Sequence, residues 1–394
     1  MSHDVAKLRE ELAAKAQASD PRVMNALLDV PRHLFLPGLP LEQVYADEAI
    51  VTKRNDDGLP VSSSSQPALM ALMLDQLDLK PGHRVLEIGA GTGYNAALIA
   101  HIVGPDGLVV TVDLDDDLTE AAREHLAVAG YPQVIVHTGD GADGYQEQAP
   151  YDRIIATVAL SDLPPAWLRQ AAPGALIVLP FDVRGAQMLL TLGYRDGHWA
   201  SRAVSPCGFI RMRGALTSSA PSVVLDNGVA LHLPQGYVAD PAGLTQALAG
   251  AGIAVPAAAT APESQVLWGL GLWLSTTEPA VTEVVEEVRS ELSALPDPLW
   301  HTRSFRVTCG IIGEHGIAVM TASGEHGLTA IGYGQEGAQL AERLAAQVSA
   351  WDAAGRPGTE GMHVDAYPRS VQPPETGHTI IERQWTRFAI YRVP

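Results

Sequence analysis

Three glycines, Gly89, Gly91 and Gly93, follow the apolar run Val85-Leu86-Glu87-Ile88 and precede a second one that starts at Tyr94. Glycines so placed bare the backbone to a charged small molecule at a helix N-terminus. A dinucleotide fingerprint, Gly-x-Gly-x-x-Gly, has its third glycine one residue later, where this chain carries Tyr94. Glu87 stands two residues ahead of the first glycine. Two further carboxylates close later apolar runs: Asp113, and Asp140 within Thr138-Gly139-Asp140-Gly141. The first can accept both hydroxyls of a ribose, and the second can accept from an adenine amino group, with Gly141 keeping the wall close. The serines Ser62 to Ser65 lie just ahead of Gln66-Pro67, and Lys53 and Arg54 precede them. A serine hydroxyl can hydrogen-bond a carboxylate, and arginine suits its bidentate capture. Each feature alone has a plainer reading: a tight turn, a helix cap, a polar loop, a solvated charge pair. Their order at the ends of successive strands favours a site, because ligands of open α/β sheets sit at the carboxyl ends of the strands.

The elements that must hold these residues are readable from hydrophobic spacing. Helices are predicted over 4–17, Pro21 to Leu28 with Asp20 as N-cap, and 66–78; residues 31–60 read as irregular. Strands are predicted at 84–88, 108–113, 133–138, 152–157 and 174–180, alternating with helices at 94–103, 116–129 and 164–171. That rhythm is a parallel, doubly wound α/β sheet. Asp115-Asp116-Asp117 reads as a solvated helix start. Residues 186–194 and 206–213 read as further strands, and a linker-like stretch at 214–222 puts a domain boundary near 215. Beyond it an α+β domain over 216–394 is predicted. It has a strand at 225–233, a helix from Pro241 to Ala249, a loop at 252–263, a helix at 279–293, strands over 303–332, a helix at 335–352 and strands near 378–383 and 386–392.

The pattern Glu-x-Gly-x-Gly-x-Gly resembles the S-adenosylmethionine (SAM) loop of class I methyltransferases. Residues 22–213 resemble protein-L-isoaspartate (D-aspartate) O-methyltransferases more specifically. The matching text is Val30-Pro31-Arg32-His33-Leu34-Phe35-Leu36-Pro37, Tyr45-Ala46-Asp47, Ser65-Gln66-Pro67, the loop at 85–94, Gly139-Asp140-Gly141, Tyr151-Asp152-Arg153-Ile154-Ile155-Ala156-Thr157 and Pro173-Gly174. The resemblance implies a Rossmann-like SAM domain. Its cofactor residues would be Glu87, Gly89, Gly91, Gly93, Asp113, Asp140, Gly141 and Thr157, with S-adenosylhomocysteine (SAH) as product. It implies Ser65, assisted by Ser64, beside the transferred methyl, and an acceptor side holding Tyr45, Asp47, Lys53, Arg54 and Gln66.

The chain departs from that family between Val51 and Ser65. The repair enzymes carry a short Pro-Ile-Gly segment and then Thr-Ile-Ser; this chain carries Val-Thr-Lys-Arg-Asn-Asp-Asp-Gly-Leu-Pro-Val and four serines. It also runs on well past the matched region. Both features resemble an actinobacterial subgroup that accompanies ribosomally made, modified peptides such as lanthipeptides and graspetides. That likeness implies methylation of an ordinary aspartate in a precursor peptide, linear or already cyclised by a partner enzyme, and closure of the ester to an aspartimide. Residues 216–394 would then recognise the peptide. The alternative is repair of isoaspartate in damaged proteins.

Composition is consistent with either. A chain of 394 residues exceeds one ordinary core, and its net charge of −19, spread over both halves, argues against phosphate-dominated nucleic-acid binding. Cys207 and Cys309 have no metal-ligand or disulfide spacing, and no metal is expected. The N-terminus lacks a signal-like pattern and no apolar run approaches the ~20 residues of a membrane span, so a cytoplasmic protein is expected. The sequence specifies no oligomeric state.

Overall fold

The structure, a computed structural model, describes residues 2–56, 58–216, 222–234, 236–238, 240–262, 265–287, 299–301, 305–323, 327–374 and 377–392. The chain forms two compact units: Met1–Phe181 with Met188–Thr217 and His363–Pro394, and Asp182–Gln187 with Ser218–Met362.

In the first unit the elements run α1 (Ser2–Ala16), α2 (Pro21–Asp29), α3 (Leu41–Val44), β1 (Ile50–Arg54), β2 (Pro60–Ser64), α4 (Pro67–Leu77), β3 (Arg84–Ile88), α5 (Tyr94–Val103), β4 (Leu108–Asp113), α6 (Asp116–Val128), β5 (Ile135–Thr138), β6 (Tyr151–Ala156), α7 (Pro165–Gln170), β7 (Ala171–Val183), β8 (Ala186–Arg195) and β9 (His198–Pro206). Strands β3 to β6 are short and have apolar centres because helices cover both faces of a parallel sheet. Val85, Leu86, Ile154 and Ile155 are fully buried. β3 lies between β4 and β6, parallel to both, with Leu86 opposite Val110 and Ile154. Asp20 caps α2 by accepting from Arg22 N at 2.8 Å, with Pro21 at the first helical position. Helix α5 is buried along its length, which explains its lack of a polar face.

Four expectations need correction here. Residues 31–60 are not irregular throughout: they hold the short turn Arg32–Phe35, α3, and an antiparallel hairpin of β1 and β2. The hairpin escaped notice because its strands, Ile-Val-Thr-Lys-Arg and Pro-Val-Ser-Ser-Ser, show little apolar alternation. The strand expected at 206–213 is instead β9, which ends at Pro206; the following residues are extended chain with a bridge at Arg211 to Ala159. The sheet has ten strands in the order 379–382, 386–392, 362–368, β9, β8, β7, β6, β3, β4, β5. Its first three strands come from the end of the chain, so a domain of 216–394 is too long: His363–Pro394 belongs with the first unit. The strand Met362–Pro368 was not expected at all. It docks on β9, with Ala366 opposite Trp199.

The second unit is an antiparallel sheet in the order 222–224, 229–232, 281–287, 305–312, 316–323, 327–334, 253–260, against which the helix Gly337–Ala353 packs. Trp351 and Leu344 of that helix are fully buried with Ile311, Met320 and Ala330. The predicted loop at 252–263 is largely the strand Ile253–Thr260. It is an edge strand, where Pro256 is tolerated. The predicted helix at 279–293 is the strand Val281–Glu287, as far as 287; residues 288–293 lie outside the described ones. Valines at 281, 284 and 285 favour a strand, and the spacing of the glutamates misled the helix reading.

Candidate active site

The glycine loop is shaped by what surrounds it. Gly89 has φ +97°, and a Cβ there would stand 2.6 Å from Thr157 Oγ1. That hydroxyl donates to the Gly89 carbonyl at 2.8 Å. Gly91 (φ +51°) donates its N–H to Asp113 Oδ2 at 2.9 Å, and Gly93 (φ +86°) is the N-cap of α5. Loop and strand end are thus knitted into one cradle at the carboxyl edge of the sheet.

Asp113 also accepts from Leu114 N at 2.8 Å, and burial pushes its carboxyl upward. Asp140 accepts from Ala142 N at 2.9 Å and Ala215 N at 2.8 Å, pinning the segment after β9 to the end of β5. A Cβ on Gly141 would lie 2.4 Å from Ile88 Cγ2 and 2.8 Å from Met212 Cε, so only glycine keeps this wall thin. Glu87 is fully buried behind the loop. It accepts from Asn95 Nδ2 at 2.7 Å and Thr111 Oγ1 at 2.6 Å, and burial pushes it up to about 7. Its role is therefore to tie α5 and β4 to the loop, and both oxygens are engaged within the fold.

A cleft opens along this edge. It is lined by Gly89, Gly91 and Gly141, by Asp113 and Thr157 at the ends of the two strands that flank β3, and by Ser62 and Ser63 of β2 with Leu114, Met212 and Arg213. Glycine backbone, a buried carboxylate and a flanking apolar side chain are the donor set that a nucleoside bearing a charged tail requires. Arg213 and Lys53 both bind Asp115, at 2.8 and 2.6 Å, and Lys53 also binds Asp117 at 2.6 Å. Asp115 is therefore an ion-pair hub and not the solvated cap expected from sequence. The Arg213 hydrogen bonds hold its carboxyl below the usual range.

The matching family model covers residues 3–216 and describes protein-L-isoaspartate (D-aspartate) O-methyltransferase. The chain belongs to that family. It is a SAM-dependent carboxyl O-methyltransferase. Among its relatives, the protein-L-isoaspartate O-methyltransferase of Methanopyrus kandleri is 38% identical over 210 residues, 53% of this chain and 90% of the relative. That of Hyperthermus butylicus is 40% identical over 220 residues, 53% of this chain and 88% of the relative. A solved protein-L-isoaspartate O-methyltransferase structure aligns over 91% of this chain and 96% of its own, with TM-score 0.52 and 23% identity, a likeness of fold.

On the acceptor side of this methyltransferase the predicted residues separate into several settings. Ser65 is partly buried; its carbonyl accepts from Arg32 Nη2 at 3.2 Å, and among the described residues nothing hydrogen-bonds its hydroxyl. Ser64 is 3% exposed with its hydroxyl facing Arg32 Nη2 at 3.3 Å, and the cleft is lined by Ser62 and Ser63 instead. Neighbouring side chains of β2 point to opposite faces, which separates Ser63 from Ser64. Gln66 Nε2 donates to Asp47 Oδ2 at 2.9 Å, and Asp47 Oδ1 accepts from Ala68 N at 2.8 Å, so this pair steadies the start of α4. Tyr45 is 3% exposed in a small apolar cluster and bonds His33 Nδ1 at 2.7 Å, which makes it a core residue. Arg54 is exposed and donates to Gly58 O at 3.0 Å. Lys53 is engaged with Asp115 and Asp117. The sequence reading gave no role to Arg32, Met212 or Arg213, and placed Asp115 only in a solvated helix start. Arg32 stood in the family text quoted above; the pairing of Arg213 with Asp115 left no local signal.

Proposed function

We propose that this enzyme transfers a methyl group to the free α-carboxylate of an isoaspartyl residue in a protein or peptide. The observation that carries the reading is the family match over residues 3–216 together with the Ser65-Gln66-Pro67 step inside it. SAM supplies an electrophilic methyl on a sulfonium. The residues of the chain supply placement. Asp113 would accept from the ribose hydroxyls, Asp140 and Gly141 would border the adenine, and the glycine turn would pass beneath the charged tail. A carboxylate acceptor is ionised at neutral pH, its reference pKa being near ~4, so no strong general base is needed. Bringing its oxygen within ~3–3.5 Å of the methyl, in line with the leaving sulfur, is the catalytic task. The Ser65 hydroxyl, without a partner among the described residues, can hold the other carboxylate oxygen.

A second reading keeps the chemistry and changes the acceptor to an ordinary aspartate of a ribosomally made precursor peptide. Its support is the segment Val51 to Ser65, which departs from the repair-enzyme text and forms the β1–β2 hairpin over the cleft. Methylation would turn the carboxylate into an ester; the next backbone nitrogen would attack its carbonyl, and methanol would leave with formation of a five-membered imide. The C-terminal extension does not favour this reading, because a solved isoaspartate methyltransferase aligns over 91% of the chain. Methyl transfer to an isoaspartyl peptide and to its plain aspartyl twin separates the two. Preference for the isoaspartyl peptide supports the first, and preference for the aspartyl twin with net loss of water from the product sinks it.

A further inference from the structure

Arg32 is 0% exposed, yet among the described residues its guanidinium meets only uncharged acceptors. Nη1 donates to Val44 O at 3.0 Å and Ala46 O at 3.1 Å; Nη2 donates to Glu48 O at 3.3 Å, Ser65 O at 3.2 Å and Ser64 Oγ at 3.3 Å. Among the described residues its Nε has no acceptor, and its Cζ lies 5.8 Å from the Tyr94 ring centroid. Asp47 is the one acid whose charge acts on it appreciably, and that carboxylate is occupied by Gln66 and Ala68. Arginine does not lose its proton in proteins. A structural tie between carbonyls needs only neutral donors, whereas a buried cation is costly unless an anion completes it. Arg32 thus ties the segment 44–48 to Ser64 and Ser65, the second of which carries the hydroxyl assigned above to the acceptor.

We propose that Arg32 is a positioning residue of the acceptor site: it fixes the backbone of Ser65 and supplies the positive potential that the incoming carboxylate completes. The inference rests on the reading of Ser65 as the acceptor-side residue. Arg32 acts through Ser65 and through its field, which is strong where water is excluded.

The test uses the full chain loaded with SAH and a peptide that the wild type methylates. Binding is compared between the carboxylate peptide and a twin in which that carboxylate is a primary amide. Wild type should favour the carboxylate by about tenfold or more, as expected of a desolvated charge contact. In Arg32→Gln the preference should collapse towards one while SAH affinity stays within about twofold. In Arg32→Lys the preference should persist, but kcat should fall about tenfold, because a point charge cannot hold five acceptors. Equal weakening of both peptides in Arg32→Gln, or an unchanged preference, overturns the proposal. Should Arg32→Gln fail to bind SAH, Arg32→Lys decides: loss of preference with the charge retained, or an unchanged kcat, overturns it. Absence of methyl transfer by the wild type sinks the functional reading and this inference together; transfer by the wild type with unaltered preference in Arg32→Gln sinks this inference alone.

Discussion

Arg213 grips Asp115 with both terminal nitrogens, Nη1 to Oδ1 at 3.1 Å and Nη2 to Oδ2 at 2.8 Å. Lys53 reaches the same carboxylate from β1. Arg213 lines the cofactor cleft, and Lys53 lies opposite Ser62, which lines it too, so Asp115 joins two parts of the lining. The partners are partly exposed, which limits each pair to at most about 1 kcal/mol. Asp115→Asn should therefore weaken SAH binding by about three- to tenfold and speed its release, with little change in melting temperature. Calorimetry and stopped-flow displacement read both. Because the native carboxyl is held below its usual range, the clasp's contribution is complete above the ordinary carboxylate pKa and is lost as pH falls through the lowered native value. Unaltered SAH kinetics in the variant would remove Asp115 from any role at the cleft.

Gly89→Ala should abolish measurable SAH binding. The added methyl meets Thr157 Oγ1 at 2.6 Å, and φ of +97° is itself strained for an L side chain, by about 1–3 kcal/mol. The double variant Gly89→Ala with Thr157→Ala removes the clash and leaves the strain. It should recover part of the affinity, and full recovery would show that backbone conformation is not what this position demands.

How much of this was legible in the sequence depends on how local the determinants are. The glycine loop, Asp113 and Asp140 were readable because each sits at the end of an apolar strand with fixed spacing. The hairpin was not, since Lys53 and Arg54 pair with Ser62 and Pro60 through backbone pairing that leaves no apolar period. Ser64 was misjudged for a related reason: without the hairpin there was no alternation to tell Ser63, at the cleft, from Ser64, turned to Arg32. The return of the strands 362–368, 379–382 and 386–392 to the first sheet was invisible because β9 accepts its neighbour through main-chain bonds. The side chains that seal that contact lie far apart in sequence.

Glu87 gives a pH signature. Its native carboxyl is raised to about 7 against an ordinary value near 4.5, so the folded state holds a proton that the unfolded chain releases in between. Stability from this group is therefore present below the unfolded value and declines as pH rises through the native one, by a few kcal/mol at most. Glu87→Gln keeps the shape of the neutral form, and Asn95 and Thr111 can still bond it. The variant should match wild type near pH 5 and exceed it near pH 8 in thermal melts. Parallel melting curves for the two proteins across that range would mean that Glu87 is ionised throughout.

Phe388, near the chain's end, packs on Phe181 with ring centroids 4.1 Å apart; the two are 1% and 0% exposed. Nearby, Trp385 N and Leu163 N both donate to Asp162 at 2.8 Å, anchoring the turn before Phe388 to the loop after β6. These contacts make the last strands part of the methyltransferase core, although they follow the second unit in sequence. Phe388→Ala should cost about 3–5 kcal/mol, the range for emptying a buried aromatic site. A chain ending near residue 215 removes this ring together with the strand paired to β9, so it should lose SAH binding through instability. Poor activity of such a truncated chain would therefore not by itself assign peptide recognition to residues 218–362. The discriminating measurement is the melting temperature of Phe388→Ala: a value equal to wild type would mean that the terminal strands are an appendage and the truncation a fair test of the second unit.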